Sequence, residues 1–181
     1  MAMFRDLRAD EIECRVAQAK ENGVSLLLYK DARCDQNILD ETVGPMNWMR
    51  QHTRENANCI VSIWDEHKGQ WIGKEDTGTE SNTEKEKGLA SDSFKRACFN
   101  WGVGRELYTA PFIWVKAEGC TALKPKQNGT WQCFDTFAVE RIRIENKKIV
   151  GLSIVNQKTG KRVYSWVDPD WDLARKAAGG Q

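Results

Sequence analysis

The sequence predicts an α+β fold: a largely antiparallel β-sheet of hairpins and strands packed on one long helix, with extra C-terminal strands. Three observations carry this. Leu89, Ala90, Phe94, Ala97, Cys98 and Trp101 recur at three- and four-residue intervals, forming one apolar stripe before the stop signal Gly102. Two alternating runs, 57–64 and 70–77, flank the polar turn Asp65-Glu66-His67-Lys68-Gly69, as a hairpin requires. After Pro111 the chain breaks into short β-rich runs separated by turn residues.

In chain order, Asp10 to Asn22 reads as a helix, with Ile12, Val16 and Ala19 on one face and Asn22-Gly23 as its stop. Val24 to Tyr29 is a short apolar run compatible with a strand or a buried helix. Asp35 to Val43 suits a second helix closed by Gly44-Pro45. Thr83 to Trp101 is the strongest helix, and Ser81 with Glu84, or Thr83 with Glu86, supplies a capping box. Strands are expected at 112–116, 131–134, 137–145, 149–155 and 162–166. From Asp168 the composition turns charged and then Ala/Gly-rich. The expected organisation is one α+β domain over 1–167, followed by a C-terminal tail over 168–181.

The chain has 181 residues and eight tryptophans, enough for a genuine core. No apolar run approaches the ~20 residues that cross a bilayer. The stretch MAMFRDLRADEIECR carries charge throughout and lacks the apolar segment of a leader, so a cytoplasmic protein without membrane association is expected. The 27 basic and 26 acidic side chains exclude a uniformly basic DNA coat; any nucleic-acid footprint must be a segregated patch. Six cysteines form no CxxC pair, and neither histidine stands at ligand spacing from one, so no metal is expected and the thiols read as packing residues.

The segment EKEKGLASDSFKRACFNWGVGREL holds the candidate site. Lys87, Ser91 and Lys95 fall at i, i+4 and i+8, along one side of the helix. Arg96 lies roughly 100° around the axis, and Arg105 follows the glycine stop. Rows of fixed cations suit a phosphate backbone, which is anionic and sequence-blind. Glu84, Glu86 and Asp92 share the helix, so the same charges equally suit intrahelical pairs on a wet face. Trp48, Trp64, Trp71, Trp101, Tyr108 and Trp114 stand near Arg50, Arg54, Lys68, Lys74 and Lys116. Aromatic faces can stack bases, although a tryptophan is more often core.

These residues resemble the Rad fifty-two/Rad twenty-two family of single-strand annealing proteins, especially its phage and prophage branch. The resemblance rests on Glu75-Asp76-Thr77-Gly78, then Asp92-Ser93-Phe94-Lys95-Arg96-Ala97, then Trp101-Gly102, with Tyr29, Arg33, Leu39-Asp40, Gly44 and Asn47-Trp48 upstream. It spans about residues 29–116. It implies a β-β-β-α core, side-by-side assembly of subunits into a ring or filament, and single-stranded DNA held in a basic groove with its bases exposed. By position it implies DNA contacts from Lys95, Arg96, Lys87 and Arg33. A further basic position of the family helix is Phe99 here, a departure that leaves one phosphate contact open, with or without replacement by Arg105; Arg105 and Lys74 complete the candidate set. The implied role is ATP-independent annealing in homologous recombination and DNA repair, with no catalytic residue and no cofactor. Implied partners are single-stranded DNA, further copies of the chain and a single-strand-binding protein; no GxxxxGK[ST] loop is present.

Three rival readings come from other classes. A passive single-strand coat or DNA-end protector would use the same groove. A metal-dependent nuclease would use Asp135 with Glu145-Asn146-Lys147, a loose aspartate plus E-x-K spacing that also suits a hairpin turn. A protein-interaction module would leave the basic helix paired with its own acids. Arg141 and Arg143 alternate with Ile142 and Ile144 and so project from one strand face, which suits further phosphate contacts or, the preferred reading, an ordinary solvated face.

Overall fold

The computed structural model describes residues 4–79 and 85–178, with side chains from 88 to 177 in the second stretch. The elements in chain order are β1 (Glu13–Lys20), β2 (Gly23–Tyr29), α1 (Ala32–Val43), β3 (Trp48–Thr53), β4 (Asn58–Asp65), β5 (Gln70–Thr77), α2 (Lys85–Trp101), β6 (Ile113–Lys116), β7 (Leu123–Pro125), β8 (Trp131–Cys133), β9 (Phe137–Glu145), β10 (Lys148–Asn156), β11 (Lys161–Val167) and α3 (Pro169–Ala178). The class is α+β, and every strand pairing is antiparallel. Among the described residues no helix is long and apolar enough to cross a membrane.

The chain divides into two compact units. The first comprises residues up to Asp6 together with Lys30–Arg105. Here β3, β4 and β5 form a three-stranded sheet in that order, and α2 packs on β4 and β5. Cys59, Val61 and Ile63 of β4 point into the core, where Phe94, Ala97 and Cys98 of α2 are fully buried, while Leu89, Ala90 and Trp101 of the same apolar stripe are half-buried. The helix stops as expected. Gly102 adopts φ +96°, its amide donates to Phe99 O (2.9 Å), and the Val103 amide donates to Cys98 O (3.1 Å). That bond pair requires a left-handed residue at Gly102. The proposed capping boxes at 81–86 lie outside the described residues and side chains. Helix α1 begins three residues earlier than expected, because Asp31 caps it by accepting from the Cys34 amide (2.9 Å).

The second unit comprises Leu7–Tyr29 and Glu106–Gln181, and holds a six-stranded sheet in the order β11-β10-β9-β1-β2-β6 beside the small hairpin β7-β8. Its core gathers Val24, Leu26, Ile113, Val115, Ile149 and Ile154.

Two sequence expectations are corrected in this unit. Residues 10–22 are not a helix but mostly strand β1, paired with β2. Cys14 and Val16 are shielded by strand alternation, and a register shift between Val16 and Gln18 then turns Ala19, rather than Gln18, inward. That bulge converts a period of two into an apparent i, i+4, i+7 spacing. Of Asn22-Gly23, read as a helix stop, Asn22 lies in the β1-β2 hairpin turn and Gly23 is the first residue of β2, paired with Lys20. The second correction is the tail. Pro169–Ala178 is a helix, seated by the Trp171 indole N–H on Glu145 (2.6 Å) and by Asp168, which accepts from the Asp170 and Trp171 amides.

Candidate nucleic-acid interface

The first unit carries the predicted cations, and the structure sorts them by what each already touches. Lys95 on α2 is half-buried and makes no hydrogen bond or ion pair among the described residues. Its charge is felt at Asp35, a buried carboxyl that burial pushes up to about 6 against the pull of Lys30 and Lys95. Arg96 is engaged: its Nε lies 3.0 Å from Asp92 Oδ2, one turn earlier, and 36% of the side chain stays exposed, so a phosphate can still reach it. Asp92 also accepts from the Thr79 amide (2.8 Å) and hydroxyl (3.1 Å). Burial alone would push the Asp92 carboxyl up; the Thr79 amide and Arg96 outweigh it and hold it below its ordinary value. The sequence left open whether this helix carries intrahelical pairs or unpaired cations. Arg96 takes the first course and Lys95 the second.

Arg105 and Lys74 converge on the end of α2. Arg105 donates to Phe99 O through Nε (3.0 Å) and Nη2 (2.6 Å), and to Asn100 O (3.2 Å). Lys74 Nζ donates to Asn100 O (2.7 Å) and lies 4.5 Å from the centre of the Trp101 ring. Carbonyls at a helix C-terminus lack intrahelical donors and carry partial negative charge, so they attract cations of their own chain. Arg33, at the start of α1, is 86% exposed and 3.0 Å from Asp31, and surface pairs of this kind hold weakly. Lys87 falls in the first turn of α2, and its side chain lies outside the described residues.

The structure adds one cation that the sequence list did not select. Strand β3 pairs with β4 so that Trp48, Arg50 and His52 stand opposite Ile63, Val61 and Cys59 on the helix-facing side. Arg50 is exposed there, 5.0 Å over the Phe94 ring, with no carboxylate partner among the described residues. Trp48 tilts against the same ring at 6.1 Å. Burial and the Arg50 charge hold His52 below the ordinary imidazole value. Arg50 therefore sits beside the residue that precedes Lys95. The sequence signal for it was a basic residue alternating with Trp48, but without the unpredicted strand β3 nothing aimed it at the helix. Arg54 lies exposed in the following turn.

Of the aromatic residues, Trp64 and Trp71 face each other across β4 and β5 at 5.6 Å, 37% and 41% exposed. Trp101 is half-buried and donates to Val61 O (2.8 Å), a packing role.

Comparison with protein-family models, with curated proteins and with solved structures finds no match to this chain.

The nuclease constellation is spread apart. Asp135 accepts from the Thr121 and Ala122 amides (2.6 and 2.9 Å). Glu145 instead accepts from Arg143 and Trp171. Asn146 and Lys147, with φ +51° and +62°, form the two-residue turn between β9 and β10. Among the described residues Asp135 and Glu145 do not share a cluster of metal-ligating atoms. Arg141 and Arg143 are both exposed, and Arg143 pairs with Glu145 and covers the Trp171 ring at 4.7 Å.

Proposed function

We propose that the chain binds single-stranded DNA without sequence preference and promotes annealing of complementary strands, acting as a homo-oligomer in recombination and repair. The observation that carries the reading is the pair Lys95 on α2 and Arg50 on β3, the latter over the ring of Phe94, neither of which forms a hydrogen bond or ion pair among the described residues. A side chain left unpaired in a near-neutral protein has its charge available for an external anion. Three strands followed by a helix, β3-β4-β5-α2, support this reading, since the family resemblance implies a β-β-β-α core. Among the described residues β3 and β5 are the outer strands of their sheet, each with an edge that pairs with no further strand and toward which a second copy can pack. Repeated grooves would let many weak phosphate contacts act together. Neutralising the backbone lowers the repulsion between complementary strands, and the annealing step breaks no covalent bond and uses no nucleotide.

Replacing Arg50 and Lys95 together with alanine should weaken binding of an oligothymidylate and reduce its salt slope by roughly 1.4, about 0.7 for each lost phosphate contact. Fluorescence anisotropy across a salt series measures this, and an unchanged slope in the folded double variant sinks the assignment. An opposite result is expected for Asp92→Asn. It removes the anion beside Arg96 while keeping an acceptor for Thr79, so affinity for the same oligonucleotide should rise several-fold at low salt. A fall in affinity would mean that Arg96 serves the helix alone. Binding without faster annealing of complementary oligonucleotides would assign passive protection instead.

A further inference from the structure

The second unit brings together two cysteines and a carboxylate that sequence spacing kept apart. Strand β7 pairs with β8 so that Leu123 stands opposite Cys133. The hairpin is closed by the Phe134 amide on Ala122 O (3.1 Å) and by Asp135, which takes the Thr121 and Ala122 amides on Oδ2 and the Thr121 hydroxyl on Oδ1. This closure returns the chain beside Cys120. One ligand atom each from Cys120, Cys133 and Asp135 lie within 4.8 Å of one another. Asp135 is buried, while both cysteines are half-exposed.

We propose that Cys120, Cys133 and Asp135 form a binding site for a zinc-class divalent cation, with solvent completing the coordination. Tetrahedral zinc with Zn–S near 2.3 Å and Zn–O near 2.1 Å sets its ligand atoms roughly 3.5–3.8 Å apart. The three atoms therefore need only a small contraction. Two sulfur ligands favour a soft or borderline ion over magnesium or calcium. The carboxylate is already oriented by the Thr121 and Ala122 amides and the Thr121 hydroxyl, the supporting bonds that hold a ligand in position. Cys133 Sγ lies 3.5 Å from Asp135 Oδ2 as a thiol donor, and the cation takes the place of that proton. On binding, both thiols release their protons to solvent, and two S–metal bonds and one O–metal bond form with no change of oxidation state. The sulfur of Cys120 makes a long contact of 3.7 Å to Lys116 O and also interacts with the Cys133 thiol, so it already faces its fellow ligand. The site lies on the hairpin of the second unit, uses none of the residues assigned to DNA, and stands whether or not the annealing reading holds.

The test uses the whole chain, kept reduced by a phosphine and titrated with cobalt(II) chloride. Wild type is expected to show the near-ultraviolet thiolate-to-cobalt charge-transfer band, with tetrahedral visible bands saturating at one ion per chain and bleached by added zinc. Cys120→Ser and Cys133→Ser should each remove most of the charge-transfer intensity. Thr121→Val, which strips the carboxylate of a supporting bond, should weaken cobalt binding by roughly 10–100-fold. Cys14→Ser, on β1, should leave the spectrum unchanged. Absence of the charge-transfer band in reduced wild type overturns the proposal without reference to any variant. So does a band that persists in the Cys120→Ser/Cys133→Ser double variant, or reduced protein that closes a 120–133 disulfide in air yet takes up no cobalt.

Discussion

Lys30→Met is expected to destabilise the first unit by about 3–5 kcal/mol, the cost of leaving one half of a buried ion pair without the other. Lys30 is 1% exposed and Asp35 is fully buried. The Lys30 ammonium donates to Asp35 Oδ1 and lies 4.6 Å from the centre of the Phe99 ring. Asp35 Oδ2 has no hydrogen-bond partner among the described residues, so the lysine is the main support of this carboxylate. Burial already pushes Asp35 up to about 6. An acid raised in the folded state binds its proton more readily there than in the unfolded chain, so stability falls as pH rises from its ordinary value toward about 6 and is level above. Without Lys30 the carboxyl rises further and the decline extends to higher pH. The deficit of Lys30→Met should therefore be smaller at pH 5 than at pH 8. Lys30→Met/Asp35→Leu should recover most of the loss, since a well-packed apolar pair often matches a buried salt bridge. Urea unfolding followed by circular dichroism at the two pH values measures all of this. A deficit below about 1 kcal/mol for the single variant, or one independent of pH, would remove the pair from the supports of this unit.

Gly78→Val is expected to cost at least as much, through backbone collision. A Cβ at Gly78 would stand 2.6 Å from the Ser93 amide nitrogen, 2.8 Å from Leu89 O and 3.1 Å from Ser93 Cα. All three are main-chain atoms of α2, so no side chain can swing aside and the helix itself must shift. The Gly78 amide is held by Ala57 O at 2.8 Å, which fixes the other side of the contact. Gly78→Ala should lose about 1–3 kcal/mol, the usual range for overpacking, and the larger valine more. Because α2 carries Lys95 and Arg96, both variants should also lose affinity for single-stranded DNA in proportion to the displacement. Thermal unfolding together with anisotropy would show it, and a valine variant as stable as wild type would mean that the strand and α2 separate readily. The glycine that ends the Glu75-Asp76-Thr77-Gly78 motif is thus accounted for by close approach of two backbones.

Where the sequence was legible, the signal was local. The stripe from Leu89 to Trp101 and the stop at Gly102 depend on one helix's own period and its own carbonyls, and both appear as read. The hairpin 57–77 and strand Phe137–Glu145 were equally plain, since alternation and turn residues lie within a few positions. β1 was misread because a bulge imitates helical spacing. β3 went unseen because its helix-facing residues are Trp48, Arg50 and His52 rather than an apolar set. The 168–181 segment looked like a tail because the partners that seat its helix, Glu145 among them, are distant in sequence.

The candidate site divides along the same line. Residue types and helical spacing were enough to bring Lys95, Arg96 and Lys87 forward together, because an α-helix sets those angles without help from the rest of the chain. Only tertiary structure decided which cations have charge to spare. It committed Lys74 and Arg105 to the carbonyls ending α2, joined Arg96 to Asp92, and left Lys95 outside any hydrogen bond or ion pair among the described residues and Arg50 over an aromatic ring. It also drew Cys120, Cys133 and Asp135 into one cluster through the β7-β8 register. Charge acts through space over a few ångströms, whereas sequence records only separation along the chain, so pairing and convergence appear once strands and helices are packed.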